Sequence, residues 1–209
     1  MKNISISLFD PKKKSFGFVS LLAVLLTVGV LFGLVACMGT KTTNTQPGAN
    51  APINTIIAIP ADDLYQYINT YVGDNSKVVA IIDLLPVDKP FKRESVYLQT
   101  DEDPYEVVVY YKTNDPDDVR ENVRQYNNTF LCNAAVMFAL IPNMSSLAID
   151  VSDQSEESFY GHFIEFKSLN EHFNTDYFTK EQLESAVTTI EDFNEYVDKV
   201  MTLRAMLQQ

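Results

Sequence analysis

The side chains that most often carry out catalysis are few in this sequence. Its 209 residues include two histidines, His162 and His172, and two cysteines, Cys37 and Cys132. A zinc site needs three or four such ligands, and nucleophilic catalysis needs a nucleophile within reach of an oriented base. The spacing of these four residues provides neither arrangement. The sequence therefore indicates no metal site, no cofactor and no catalytic residue.

Two of these residues fall within regular patterns instead. His162 lies in an alternating strand pattern, which predicts a partly buried, hydrogen-bonded histidine rather than a catalytic base. Cys132 lies inside an apolar helical pattern, whereas a reactive thiol would need an electropositive and partly exposed setting. We therefore predict that Cys132 is a buried and unreactive core residue.

The densest motif in the sequence is Gly73, Asp74, Asn75, Ser76 and Lys77, directly before an apolar helical pattern. Gly73 permits a sharp turn, and the free N–H groups of the helix start can bind an anion. Asp74 or Asn75 can instead cap the helix by accepting from those groups. The charge of Asp74 opposes an anion and favours capping, yet these five residues remain our first prediction for a binding site.

A long apolar run, residues 16–38, follows three consecutive lysines at 12–14. About 20 apolar residues suffice to cross a bilayer as a helix, and lysines before such a helix favour a cytoplasmic N-terminus. The segment Leu34-Val35-Ala36-Cys37 also resembles a bacterial lipobox, in which the cysteine is acylated and the chain is cut before it. An uncleaved transmembrane helix and a lipoprotein signal both stay open. Either one tethers the rest of the chain to the cell membrane, outside the cytoplasm.

The chain divides accordingly into four parts. We predict a cytoplasmic leader (1–15), the anchor (16–38), a flexible tether (39–55) and one extracytoplasmic domain (56–209). Residues 1–37 hold four of the 16 Lys and Arg and one of the 28 Asp and Glu, so the remainder carries 12 − 27 = −15. Such a charge repels nucleic acid, and we expect no nucleic-acid partner.

Alternating apolar residues predict four strands, at 95–100, 105–112, 147–151 and 158–167. Short turns join them in pairs, and between the pairs one long helix should run from Pro116 to Ile141, buried on all sides after Phe130. The expected fold is α+β, with two antiparallel β-hairpins in one four-stranded sheet and helices packed on one side of it.

Two stretches of the sequence resemble a known family. Residues 71–78 read Tyr-Val-Gly-Asp-Asn-Ser-Lys-Val, and residues 133–141 form an apolar helix closed by Pro142 and Asn143. Both are similar to a bacterial domain-of-unknown-function family of membrane-tethered or lipoprotein-like proteins. Some members are joined to antirepressor-type membrane metallopeptidases, but this chain has no His-Glu-x-x-His motif. The resemblance extends from Leu64 to the C-terminus and implies no catalytic residues.

Binding needs only a surface, whereas catalysis needs oriented groups that this sequence does not display. We therefore expect a membrane-tethered extracytoplasmic domain that binds or senses an envelope protein or a small ligand without catalysis. An envelope hydrolase with an unrecognised active site stays open as the alternative.

Overall fold

The computed structural model describes residues 58–87, 91–155 and 158–207. The predicted leader, anchor and tether, with Cys37, lie outside these residues. Within them, no helix is long and apolar enough to cross a membrane. The helices are α1 (Ala61–Tyr65), α2 (Asn75–Leu84), α3 (Pro116–Glu121), α4 (Val123–Leu140), α5 (Leu169–Phe173), α6 (Lys180–Ala186) and α7 (Ile190–Leu207). The strands are β1 (Phe91–Gln99), β2 (Glu106–Thr113), β3 (Ser146–Ser152) and β4 (Ser158–Glu165).

The four strands form one sheet in the order β1-β2-β3-β4. The two hairpins, β1 with β2 and β3 with β4, are antiparallel as predicted. They join through β2 and β3, which run parallel. A parallel pair needs a crossover of a dozen or more residues, and α3 and α4 supply it. The α+β fold is confirmed, with a mixed sheet rather than an antiparallel one.

Helix α4 is the centre of the domain, and residues 128–141 are all buried. One side packs on the sheet, where the Phe130 ring lies 5.8 Å from the Tyr111 ring. On another side, the Tyr196 hydroxyl of α7 donates to the Ala135 carbonyl at 2.8 Å. Because neighbouring elements cover both sides of this helix, its apolar residues are buried all round, as the sequence predicted.

The prediction of a single long helix from Pro116 is wrong, because the helix is interrupted at Asn122. This residue has φ −108° and ψ 20°. Its side-chain amide donates to the Asp118 carbonyl at 3.1 Å and to Asp118 Oδ1 at 2.8 Å. Such local bonds compete with the helical ladder, and the result is two helices, α3 and α4.

The two faces of the sheet differ in character. The face toward the helices buries Val107, Val109 and Tyr111 of β2, and the same alternation continues in β3. On the opposite face, Tyr97 and Phe163 are exposed. The helices therefore lie on one side of the sheet, and the other face of the sheet is left uncovered by the described residues.

Candidate functional site

The two family-like stretches meet in the structure. The Val72 N–H donates to Asn143 Oδ1 at 3.0 Å, and the Thr70 N–H donates to the Leu140 carbonyl at 3.0 Å. At the other end of α2, Asn133 Nδ2 donates to the Pro86 carbonyl at 2.8 Å. The segment that contains α2 is thus fastened to α4 at both of its ends.

The predicted binding stretch forms the start of α2. Asp74 is the N-cap, and its Oδ1 accepts from the Lys77 N–H at 3.4 Å. Lys77 Nζ lies 3.1 Å from Asp74 Oδ2. The hydrogen bond from the Lys77 side chain lowers the pKa of Asp74. Gly73, Asn75 and Ser76 are exposed. This geometry fits the capping interpretation, while binding at these residues stays a prediction.

Gly73 does not occupy a glycine-specific conformation. Its φ is not positive, and a Cβ built on it would meet no atom within 4 Å. We expect Gly73→Ala to leave the fold intact and to raise the free energy of unfolding by about 0.4–1 kcal/mol, because alanine restricts the unfolded chain. Urea denaturation measures this value. A clear loss of stability would mean that the turn needs glycine after all.

A pocket of about 590 Å³ lies beside the junction of the two stretches. Five segments form it: Asn69, residues 103–105, the end of α4 with the following turn, the end of β4, and α6. Its apolar lining residues are Pro104, Tyr105, Phe138, Ala139, Pro142, Met144, Phe166, Leu183 and Val187. Its polar lining residues are Asn69, Asp103, Asn143, Ser145, Glu165, Lys167, Lys180 and Glu184. A mainly apolar cavity of this size with a few polar groups is typical of ligand sites.

Four of the five charged side chains that line this pocket form two ion pairs. Lys167 Nζ lies 2.8 Å from Glu165 Oε1, and Lys180 Nζ lies 3.8 Å from Glu184 Oε1. Both lysines are largely exposed, and ion pairs of that kind contribute only about 0–1 kcal/mol. They can therefore exchange their partners for a ligand group at little cost.

The pocket and the predicted binding stretch 73–77 do not form one surface, and Asn143 connects them. Asn143 lines the pocket and also holds the Val72 N–H. None of residues 73–77 lines the pocket. The sequence drew attention to Asn143 as the end of the second family-like stretch. It gave no sign that α6 lines the same pocket as Asn143.

Comparison with known proteins finds a family model that matches part of the chain. Residues 64–167 match the family model described as Domain of unknown function (DUF4825). No curated protein and no solved structure matches the chain.

The DUF4825 match ends at Lys167, whereas the resemblance in the sequence was expected to reach the C-terminus. It covers α2, the whole sheet and α4. It also covers four of the five segments around the pocket. The fifth segment lies outside the DUF4825 match and contributes Lys180, Leu183, Glu184 and Val187.

The histidines and the described cysteine do not line this pocket. His162 is partly buried as predicted, with its ring centroid 6.3 Å from that of His172. Burial, and then the neighbouring His172, lower the pKa of His162. The hydrogen bond predicted for His162 is not found at its buried Nε2, which has no partner among the described residues.

Cys132 is buried as predicted. Burial raises the pKa of its thiol to about 12, so the reactive thiolate is scarce near neutral pH. Among the described residues, no group of three or more His, Cys, Asp or Glu is placed to hold a metal ion.

Proposed function

We propose that this protein is a membrane-tethered extracytoplasmic binding or sensing domain without catalysis, and that the pocket beside Asn143 is its ligand site. The pocket itself is the observation that carries the proposal. Its apolar floor offers burial to an apolar group, and its rim places Lys167 and Lys180 where they can meet a polar end of the ligand. The ligand class that fits is a compact apolar molecule or peptide end with one charged group.

The alternative of an envelope hydrolase has less support. A catalytic site needs a base or nucleophile in contact with bound substrate, and neither His162 nor His172 lines the pocket. Turnover of an envelope substrate that is abolished by His162→Gln would favour the hydrolase.

Binding at the pocket is tested by filling it. N-acetyl-phenylalanyl-leucine is a suitable soluble probe, because it combines two apolar side chains with one carboxylate. We expect Val187→Trp to abolish saturation-transfer NMR signals of this probe with the full chain in neutral micelles, since the indole occupies the pocket. Val123→Trp is the matched control, because Val123 is exposed and does not line the pocket. Equal binding to both variants would remove the pocket as the site.

The tether is supported by the sequence alone. The lipobox-like segment leads us to propose acylation of Cys37 and removal of residues 1–36. In a host that processes lipoproteins, labelled fatty acid should enter the wild-type chain and should be absent from Cys37→Ala. Wild-type protein that keeps its full length and takes up no label would instead support an uncleaved transmembrane helix.

A further inference from the structure

The charges around the pocket do not cancel. Its lining holds three carboxylates, Asp103, Glu165 and Glu184, against the two ammonium groups of Lys167 and Lys180. The two glutamates are paired with the lysines. Asp103 is exposed, and its side chain forms no ion pair and no hydrogen bond with any residue that the structure describes. One uncompensated negative charge beside an apolar pocket favours a ligand that brings a positive group.

The segment that carries Asp103 is hydrogen-bonded to its neighbours around the pocket. The Ser145 N–H donates to the Tyr105 carbonyl at 2.9 Å, and the Phe166 N–H donates to the Ser145 carbonyl at 3.1 Å. Tyr105, Ser145 and Phe166 all line the pocket. Asp103 lies two residues before Tyr105, so these bonds fix where its segment stands relative to the other segments of the lining. Such preorganisation lowers the cost of binding a ligand.

The strand register puts the segments of Asp103 and Lys167 two strands apart. Glu106 pairs with Ser146, and Ser146 pairs with Glu165, so these three residues form one row across β2, β3 and β4. Two strand spacings, about 10 Å, separate the ends of this row. Asp103 lies three residues before Glu106, and Lys167 lies two residues after Glu165. An extended peptide of two or three residues spans about 7–11 Å, which suits this separation.

The neutral polar side chains of the lining keep hydrogen-bonding groups unused. The side chains of Asn69 and Ser145 form no hydrogen bond with a described residue, and Asn143 uses only Oδ1, which accepts from the Val72 N–H. An Asn amide offers both a donor and an acceptor, as a peptide bond requires. Asn69 also has a positive φ of 58°, and non-glycine residues in that region cluster at ligand sites. These groups can satisfy a peptide backbone while its side chains occupy the apolar floor.

We propose that the ligand of this pocket is an apolar peptide of two or three residues with a free amino end, and that Asp103 receives its ammonium group. This inference rests on the proposed ligand site. The carboxylate of the peptide meets Lys167 or Lys180, whose exposed ion pairs exchange at little cost. Asp103 has no partner to give up among the described residues, so it selects a free amino end over a blocked one.

The test compares Phe-Leu with N-acetyl-Phe-Leu, which share both side chains and the carboxylate and differ at the amino end. Saturation-transfer NMR titrations of the full chain in neutral micelles give both dissociation constants, at about pH 6.5 where the free amine is protonated. We expect Phe-Leu to bind about fivefold more tightly, because it gains one ion pair. Asp103→Asn should remove this preference by weakening the binding of Phe-Leu alone.

Asp101→Asn is the matched control. Asp101 is an exposed acid in the same turn and does not line the pocket, so its substitution removes the same charge and should keep the fivefold preference. Unchanged binding of N-acetyl-Phe-Leu to Asp103→Asn would show that the pocket of this variant is intact. Asp103→Glu keeps the charge and should retain the preference for Phe-Leu.

Failure of this inference and failure of the pocket give different results. Equal affinities of the two peptides for the wild type would overturn the role of Asp103 and leave the pocket as the site. A preference that survives Asp103→Asn, or that Asp101→Asn removes equally, would do the same. Binding of neither peptide, or binding that Val187→Trp does not change, would remove the pocket itself and this inference with it.

Discussion

Replacing Phe130 by alanine should lower the free energy of unfolding by about 3–5 kcal/mol. Phe130 is 1% exposed, and its ring lies 5.6 Å from that of Phe91, 5.8 Å from that of Tyr111 and 6.3 Å from that of Tyr160. The substitution leaves a cavity between α4 and three strands, because rings from β1, β2 and β4 cannot all move to fill it. Urea denaturation of the wild type and the variant gives the difference.

Val123→Ala is the control for this substitution, since Val123 begins the same helix but is 39% exposed. We expect it to change stability by less than about 0.5 kcal/mol. Similar losses in both variants would place Phe130 outside the core and would contradict the packing of α4 on the sheet.

The second large effect is expected at Asn143. Asn143→Leu should cost about 1–3 kcal/mol, because it removes the acceptor for the Val72 N–H and leaves that donor buried without a partner. Val72 itself is fully buried, so water cannot replace the lost acceptor.

Asn143→Asp keeps an oxygen in the same position and should retain most of the stability. Hydrogen exchange at the Val72 amide reports the bond directly, with fast exchange expected only in the leucine variant. If the leucine and aspartate variants were equally destabilised, the bond to Val72 would not be the reason.

Much of the fold follows from patterns within short stretches of sequence. Alternation predicted all four strands, and the apolar run after Phe130 predicted a helix buried on every side. The parallel pairing of β2 with β3 did not follow, because alternation shows which face of a strand is buried and not which strand lies beside it. The break at Asn122 was missed because a side-chain hydrogen bond to Asp118 outweighs an otherwise continuous helical pattern.

The candidate site was harder to predict than the fold. The stretch 73–77 is dense in polar residues because it caps a helix, and such residues are favoured at helix starts without any ligand. The pocket is assembled from five segments between Asn69 and Val187. Most of its lining residues are ordinary apolar side chains, and only the tertiary structure brings them together.

The most direct test of the proposed ligand site uses the methyl groups of methionine. In the full chain with ¹³C-labelled methionine methyls, titration with N-acetyl-phenylalanyl-leucine should shift the signal of Met144, which lines the pocket. The signal of Met206, exposed on α7, should not move. A Met144 signal that stays constant while the probe binds, or equal shifts of both signals, would contradict binding in this pocket.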